Sequence, residues 1–209
     1  MKHSYRYFLS CALVAIVGWS MTSFGHAGAA EPEINAPAPD FTLVDTHGME
    51  HKLSDSRGKF IVLEWLNHEC PFVQKHYNSG NMQNLQKKYT GKDVVWYSIV
   101  SSAEGKQGYY PPEEANELTT EKGAAPTAVL IDAGGEVGRL YGARTTPHMF
   151  IINPEGTLIY NGAIDDTRST DVEDIKTATN YVSAALDEAM SGQAVSVATS
   201  QPYGCAVKY

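Results

Sequence analysis

The residue best placed to do chemistry is Cys70. It follows an apolar, β-branched run at 59–66 (KFIVLEWL) that predicts a buried strand, and Pro71 suits the first turn of a helix. A thiol at a helix N-terminus meets free N–H groups and the helix dipole, which stabilise the thiolate and lower the thiol pKa. Because a thiolate attacks disulfides and peroxides, we predict that Cys70 is a redox nucleophile. A small cysteine buried in the core is the inert alternative.

Cys205 is the candidate partner thiol. Of the three cysteines, Cys11 lies in an N-terminal apolar segment, so a mature chain without that segment would hold Cys70 and Cys205. Between Gly192 and Cys205, roughly 12 residues can extend up to about 40 Å, enough to cross a domain of this size. We predict that Cys205 resolves a disulfide formed on Cys70, within one chain or between two. A permanent structural disulfide is the alternative.

Other polar residues are candidates to tune the nucleophile. Glu64 interrupts the apolar strand, where it would take part in proton transfer or pair with a buried lysine. Arg144 could steady an anionic transition state, or be exposed or salt-bridged. Asp165-Asp166 predicts a turn or an acidic pair that leads into a helix, rather than a metal site. Possible modulators, each also interpretable as an ordinary exposed polar residue, are Asn67, His68, Glu69, Lys75 and His148.

The elements that must position these residues alternate between strands and helices. A hairpin around 45–48 precedes the strand that ends before Cys70, and a helix broken at 78–81 follows it. Thr170 with Glu173 forms a capping-box pattern, which predicts one helix from there to Met190. The pattern favours an α/β three-layer sandwich with an N-terminal β-hairpin and a C-terminal tail. Further strands are predicted at 93–101, 127–132, 148–153 and 157–162, and short helices at 113–122 and 136–141.

Three motifs resemble one protein family. They are the run 67–73 (NHECPFV), Thr146-Pro147 before a strand, and 36–41 (APAPDF). Over roughly residues 36–190 they resemble the redoxin branch of the thioredoxin superfamily, which includes the alkyl hydroperoxide reductase/thiol-specific antioxidant proteins. The tail at 203–209 (YGCAVKY) is similar to a peroxiredoxin-like subgroup with a cysteine near the C-terminus.

The resemblance implies a thioredoxin-like fold and a role for Thr146 and Pro147. In that family a cis-proline loop packs beside the nucleophile, and a substrate backbone pairs with the residue that corresponds to Thr146. The chain departs from the thioredoxin CxxC pair, because Val73 takes the place of the second cysteine. It also departs from typical peroxiredoxins, which have proline and threonine where this chain has Leu63 and Asn67 and lack the proline at Pro147.

Two activities therefore remain open for Cys70 and Cys205. The first is thiol–disulfide exchange with a disulfide-bearing protein, and the second is reduction of a peroxide through a sulfenic acid on Cys70. Each requires a thiol electron donor, and neither requires a cofactor. A copper-binding role for Cys70, His68, His76 and His148, without catalysis, is a third interpretation, although Gln74 replaces the second cysteine of a CxxxC pattern. A catalytically silent interaction domain is a fourth.

The N-terminus and the composition indicate the compartment and the partners. Lys2, Arg6, an apolar run at 8–21 and Ala27-Gly-Ala29 predict a cleaved secretory signal peptide at 1–29, with an uncleaved anchor as the alternative. The redoxin domain would span 30–192 and the tail 193–209, in the periplasm or outside the cell. The net charge of −8 without a basic cluster disfavours a nucleic-acid partner. No later apolar run predicts membrane insertion of the mature chain.

Overall fold

The computed structural model describes Met1, His3 and residues 31–209. The predicted signal peptide at 1–29 therefore lies outside the described residues, apart from those two. Within the described part of the chain, no helix has the length and apolar character needed to cross a membrane.

A mixed sheet forms the centre of the fold. In residues 31–209 it has seven strands in the order β2-β1-β5-β4-β3-β7-β8. The central strands β3, β4 and β5 run parallel, and β7 and β8 extend the sheet antiparallel beside β3. The predicted hairpin is confirmed as β1 and β2, which adds to the far edge through β5. The strands are β1 Thr42–Asp45, β2 Glu50–Lys52, β3 Ile61–Trp65, β4 Val95–Val100, β5 Ala128–Ile131, β7 His148–Ile152 and β8 Leu158–Gly162.

The first helix begins where the sequence predicts. Cys70 is its N-cap residue and Pro71 occupies its first turn, where a missing N–H leaves no hydrogen bond unmade. The predicted interruption is also confirmed, because the chain turns through Gly80, at φ +74°, between α1 and α2. The helices are α1 Pro71–Asn78, α2 Asn81–Thr90, α3 Pro112–Glu121, α4 Glu136–Leu140 and α5 Tyr181–Met190, with short 3-10 helices at Leu53–Ser56 and Val172–Lys176.

The predicted single helix from Thr170 to Met190 is wrong. A 3-10 helix occupies Val172–Lys176 and ends before α5 begins at Tyr181. Two separate caps explain the break: Asp171 accepts a hydrogen bond from the Glu173 N–H, and Asn180 accepts one from the Ser183 N–H. The capping-box pattern at Thr170 and Glu173 therefore does not start the last helix.

Helices cover both faces of the sheet, as a three-layer arrangement requires. On one face, side chains of α1, α2 and α5 pack with Val62, Trp96 and Met149 of the central strands. On the other face, α4 and the first 3-10 helix pack with Ile61, Leu63 and neighbouring strand residues. Alternate residues of β3 thus enter opposite layers, and every residue of this strand is buried. The predicted α/β thioredoxin-like fold is confirmed.

The tail does not extend away from this body. Thr199 forms an isolated parallel bridge with Asn161 of β8, and Tyr203 is buried in the layer formed by α1, α2 and α5. Cys205–Ala206 then forms strand β9, which pairs antiparallel with β6, Thr145–Thr146. The Lys208 carbonyl accepts a hydrogen bond of 2.8 Å from the Ala103 N–H. The tail therefore follows the surface from the end of α5 to the start of α1.

Candidate active site

Cys70 lies at the junction of three elements. It caps α1 directly after the turn that leaves β3, and its side chain is fully buried. Its Sγ donates a hydrogen bond of 3.0 Å to the carbonyl oxygen of Thr146. The Thr146–Pro147 peptide bond is cis, as predicted. The structure therefore brings Cys70 and the proline loop together.

Strand β9 places the second cysteine at the same junction. In the β6–β9 pair, Cys205 lies opposite Thr146 and Ala206 opposite Thr145. The Cys205 N–H donates to Cys70 Sγ over 3.3 Å. Both thiols are free, and Cys205 remains partly exposed. The tail thus occupies the backbone edge beside Cys70 and holds the two cysteines in contact.

Gly204 allows this close approach. Its φ is +141°, and a Cβ atom built there would lie 2.0 Å from the Thr146 carbonyl oxygen. Any other residue would both disfavour this backbone conformation and collide with the loop. Glycine is therefore required for the tail to reach the loop at this point.

The two thiols have opposite electrostatic environments. Burial alone would raise the pKa of Cys70, but hydrogen bonds from the side chain and the N–H of Cys205 and from the Val73 N–H lower it below its ordinary value. The Thr146 hydroxyl is buried and has no hydrogen-bond partner within residues 31–209. Burial and the hydrogen bond and charge of Cys70 raise the pKa of Cys205 to about 11. Cys70 is the better thiolate, and Cys205 the proton donor that stabilises it.

Glu64 is buried among neutral donors and has no lysine partner in the described chain. Its carboxyl accepts hydrogen bonds from Trp96 Nε1 at 2.8 Å, Tyr77 OH at 2.9 Å, Ser98 Oγ at 3.0 Å and Gln86 Nε2 at 3.1 Å. Burial raises its pKa, although each of these hydrogen bonds opposes that effect. The alternative of a Glu64–lysine pair is therefore wrong. The buried Lys75 pairs with Asp165 instead.

The candidate histidines do not contact the nucleophile through their ring nitrogens. His148 Nε2 lies 2.8 Å from Asn161 Oδ1, and the His68 ring packs edge-on against Tyr77. Burial lowers the pKa of each histidine to about 4, so both rings are neutral near neutral pH. They shape the walls of the site rather than carry charge.

Asn67 and Glu69 organise the turn before Cys70. The Asn67 carboxamide accepts from the Glu69 N–H at 2.9 Å, and the Cys70 N–H donates to the Asn67 carbonyl at 3.0 Å. Glu69 in turn accepts from the Gly108 N–H at 3.0 Å and the Tyr110 hydroxyl at 3.2 Å. Asn67 therefore acts on the backbone that presents Cys70. The contact with the loop at 108–110 has no signal in the sequence.

Arg144 lies away from the Cys70 thiol. Its guanidinium pairs with Glu31 at 2.5 Å, and both side chains are more than half exposed. Within residues 31–209, no three His, Cys, Asp or Glu side chains gather where they could hold a metal ion. His76, one of the four copper-ligand candidates, instead meets Asn81 at 2.9 Å through Nδ1. The structure therefore does not assemble the copper site.

Sequence reasoning missed a buried polar group beneath the tail. The Tyr203 hydroxyl donates to Asp165, and Lys75 Nζ lies 3.5 Å from the other carboxylate oxygen. Lys75 and His76 follow Val73 on a helix face that is otherwise buried, which is the one signal the sequence offered. For Asp165 itself, the sequence predicts only a turn or an acidic pair that leads into a helix.

A cysteine at the start of the first α-helix, beside a cis-proline loop and on a mixed sheet covered by helices, defines a thioredoxin-like redox protein. Residues 34–161 match the AhpC/TSA family, which is more than half of the chain. The chain belongs to the AhpC/TSA family and is an oxidoreductase of the thioredoxin-like superfamily.

Individual relatives agree with this assignment. The chain is 24% identical over 163 residues to the thiol-disulfide oxidoreductase ResA of Bacillus subtilis, covering 76% of this chain and 86% of that protein. A conserved protein of Geobacillus kaustophilus has a similar structure, with a TM-score of 0.70, 26% identity and coverage of 85% and 92%. A hypothetical protein of Sinorhizobium meliloti matches with a TM-score of 0.71, 23% identity and coverage of 86% and 96%, which supports the fold.

Proposed function

We propose that this protein is a thiol–disulfide oxidoreductase in which Cys70 attacks the substrate and Cys205 resolves the mixed disulfide. The observation that carries the proposal is the contact between the tail and the nucleophile. Cys205 is the strand partner of Thr146, and its N–H reaches Cys70 Sγ at 3.3 Å. The similarity to ResA supports exchange with a disulfide as the reaction.

The proposed reaction has two displacements. The Cys70 thiolate attacks one sulfur of a substrate disulfide, and the other sulfur leaves as a thiolate, so that a mixed disulfide forms. Cys205 then loses its proton to solvent and attacks Cys70 Sγ, and the remaining substrate sulfur leaves. The substrate has undergone a two-electron reduction to its dithiol, and the chain holds a Cys70–Cys205 disulfide. An external dithiol donor returns the chain to its reduced form.

A substrate must displace the tail before the first step. Cys70 is fully buried, and β9 occupies the edge of Thr145–Thr146. In the related family this edge pairs with the substrate backbone, so the tail and an incoming polypeptide compete for one position. Opening of the tail is therefore part of the proposed catalytic cycle.

The peroxidase alternative uses the same two thiols and is an outcome of the test. No cation meets the Cys70 thiol within the described residues: Arg144 pairs with Glu31, and Lys75 with Asp165. Disulfide exchange has less need of such a cation, because its leaving group is a thiolate, a much weaker base than the hydroxide or alkoxide that leaves a peroxide. This difference favours disulfide exchange over peroxide reduction.

The test offers reduced protein a protein disulfide and hydrogen peroxide in parallel, with Cys70→Ser as the control. We expect disulfide reduction that depends on Cys70 and ends in a Cys70–Cys205 disulfide, found by non-reducing peptide mass mapping. Faster reaction with peroxide would assign a thiol peroxidase instead. A rate that persists in Cys70→Ser would contradict both.

We also propose that the protein works after export, which rests on the signal-peptide pattern at 1–29. An oxidising compartment supplies disulfide-bearing substrates, and a separate thiol donor must supply the electrons. N-terminal mass spectrometry on fractionated cells tests this. A mature N-terminus near Ala30 in the exported fraction is expected, and an intact Met1 in the cytosol would contradict it.

A further inference from the structure

A buried polar cluster lies behind the tail and has no role in the proposed reaction. The side chains of Lys75, His76 and Asp165 are at most 1% exposed. Tyr203 brings the tail into this cluster and is 5% exposed. Buried charged groups are costly unless they are paired, so their presence under a surface segment requires an explanation.

The contacts of Asp165 centre the cluster on the tail. Its carboxylate accepts from the Tyr203 hydroxyl and from the Thr167 N–H at 3.0 Å, and it faces Lys75 Nζ at 3.5 Å. Lys75 also donates to the Thr167 carbonyl at 2.9 Å. Burial lowers the pKa of His76 to about 4, so this ring is neutral beside the pair. The Tyr203 hydroxyl therefore bonds to the acidic member of a buried ion pair.

The same helix carries this cluster and the nucleophile. Cys70 caps α1, and Lys75 follows on that helix. Phe72, also on α1, packs edge-on against the Tyr203 ring with centroids 5.7 Å apart. The position of Tyr203 is thus fixed relative to Cys70 by one rigid element.

Little slack separates Tyr203 from Cys205. The two residues are joined through Gly204 alone, a span of at most about 7 Å in extended chain. Gly204 lies directly against the Thr146 carbonyl, because a Cβ atom at this position would be only 2.0 Å from the carbonyl oxygen. Holding the Tyr203 side chain therefore holds Cys205 at the loop.

We propose that Tyr203, together with the Asp165–Lys75 ion pair, is a positioning anchor that keeps Cys205 against Cys70. The proposal rests on the proposed role of Cys205 as the resolving thiol. Loss of the anchor increases the fraction of time for which the tail is open. Cys70 then becomes more accessible, and Cys205 becomes slower to attack a mixed disulfide on Cys70.

A test follows both events with an aromatic disulfide, 5,5′-dithiobis(2-nitrobenzoate). Attack by Cys70 releases a first equivalent of coloured thiolate, and attack of Cys205 on the Cys70 adduct releases a second. We expect Tyr203→Phe to accelerate the first phase and slow the second, each about tenfold, since a hydrogen bond to a charged group is lost. The phenyl ring keeps its contact with Phe72, so the variant retains its packing.

Tyr141→Phe is the matched control. Tyr141 is also buried, and its hydroxyl donates to the Pro39 carbonyl at 2.7 Å and not to a tail residue. We expect both phases to keep the rates of the unmodified protein. If Tyr141→Phe reproduced the changes of Tyr203→Phe, the anchor would be overturned, because a general loss of stability would explain them.

A second variant tests the ion pair itself. Asp165→Asn retains an oxygen acceptor but removes the charge, so the two phases should shift in the directions of Tyr203→Phe. In the double variant the changes should be less than multiplicative, because both substitutions break one interaction. Fully independent effects would overturn the anchor.

The failure of the anchor differs from the failure of the proposed function. Suppose that the unmodified protein ends with an internal Cys70–Cys205 disulfide. If the rates of both phases in Tyr203→Phe are then within about twofold of the unmodified rates, the anchor alone is wrong, because loss of the Tyr203–Asp165 hydrogen bond should change them about tenfold. If the unmodified protein keeps the aromatic adduct on Cys70 by mass, Cys205 does not resolve. The proposed function then fails, and the anchor with it.

Discussion

The surroundings of the two cysteines differ in burial, in secondary structure and in their effect on the thiol pKa. Cys70 is fully buried at the start of α1, and its surroundings lower its pKa. Cys205 lies partly exposed on a strand of two residues, with a pKa raised to about 11. The proposed nucleophile is thus covered, and the partly exposed thiol has the higher pKa.

In the proposed reaction, this difference favours attack by Cys70 before attack by Cys205. Two of the causes that raise the pKa of Cys205 are the hydrogen bond to Cys70 and the charge of Cys70. Both disappear once Cys70 is bound in a mixed disulfide, because its sulfur is then neutral. Beside a mixed disulfide on Cys70, Cys205 is thus a better nucleophile than it is beside the Cys70 thiolate. Because the pKa of Cys70 is lowered and that of Cys205 is raised, Cys205 does not compete with Cys70 for the substrate in the proposed reaction.

The largest expected effect breaks the comparison at Cys70. Cys70→Ser should lower disulfide reduction by at least about 1000-fold, since a serine hydroxyl is not ionised at neutral pH without an activating base. The measurement is the rate at which a substrate protein loses its disulfide crosslink, detected under non-reducing conditions. Cys205→Ser should still release the first equivalent of an aromatic disulfide. A Cys70→Ser protein that retained activity through Cys205 would reverse the assigned roles.

The next largest effect is expected when the thiol of Cys205 is removed. In Cys205→Ala, mixed disulfides on Cys70 should persist, and turnover should fall about 100-fold at roughly 10 µM external thiol. The reason is that a tethered thiol acts at an effective concentration in the millimolar range. Trapped adducts counted by intact mass provide the measurement. Turnover equal to that of the unmodified protein would mean that an external thiol resolves the adduct.

A smaller effect is expected when the contact between the tail and the loop beside Cys70 is loosened. Gly204→Ala should increase the alkylation rate of Cys70 about tenfold or more, because overpacking of this kind costs about 1–3 kcal/mol. Gly192→Ala is a suitable control, since Gly192 also has a positive φ but a Cβ there meets no atom within 4 Å. Equal protection of Cys70 in both variants would show that the tail does not cover it.

The smallest effect concerns the thiolate. In Cys205→Ala, the pKa of Cys70 should rise, because the Cys205 side chain no longer donates to the sulfur. The pH at half-maximal alkylation of Cys70 should therefore move upward, whereas Cys205→Ser, which retains a donor, should move it less. The pH midpoint is informative even when tail opening limits the rate. A midpoint that falls in Cys205→Ala would contradict the proton-donor role of Cys205.

The sequence supported predictions where the signal was local. Pro71 after a buried strand predicted the start of α1, and Gly80 the break before α2. The last helix was predicted wrongly because Thr170 and Glu173 matched a capping pattern, whereas the actual caps are Asp171 and Asn180. Local patterns of this kind compete, and only tertiary packing selects among them.

The site depended on contacts that no local pattern encodes. The four donors to Glu64 come from α1, α2 and β4, and Tyr203 meets an aspartate 38 positions earlier in the chain. The reach of the tail permits many positions for Cys205, and the sequence indicates only that Gly204 frees the backbone and that Tyr203 can dock on an apolar surface. It does not predict the close approach of Gly204 to the Thr146 carbonyl or the bond from Tyr203 to Asp165.

The two-residue strand β9 makes the spacing of the tail a matter of counting. Successive strand residues face opposite sides, so Cys205 and Ala206 present their side chains on opposite faces, each on the same face as its partner, Thr146 or Thr145. With Tyr203 still bound to Asp165, one residue inserted between Tyr203 and Cys205 would shift the pairing of the tail by one position and move the cysteine to the other face of the strand. We expect the thiol of such a chain to face away from Cys70. The number of residues between Tyr203 and Cys205 therefore decides whether the Cys205 thiol faces Cys70.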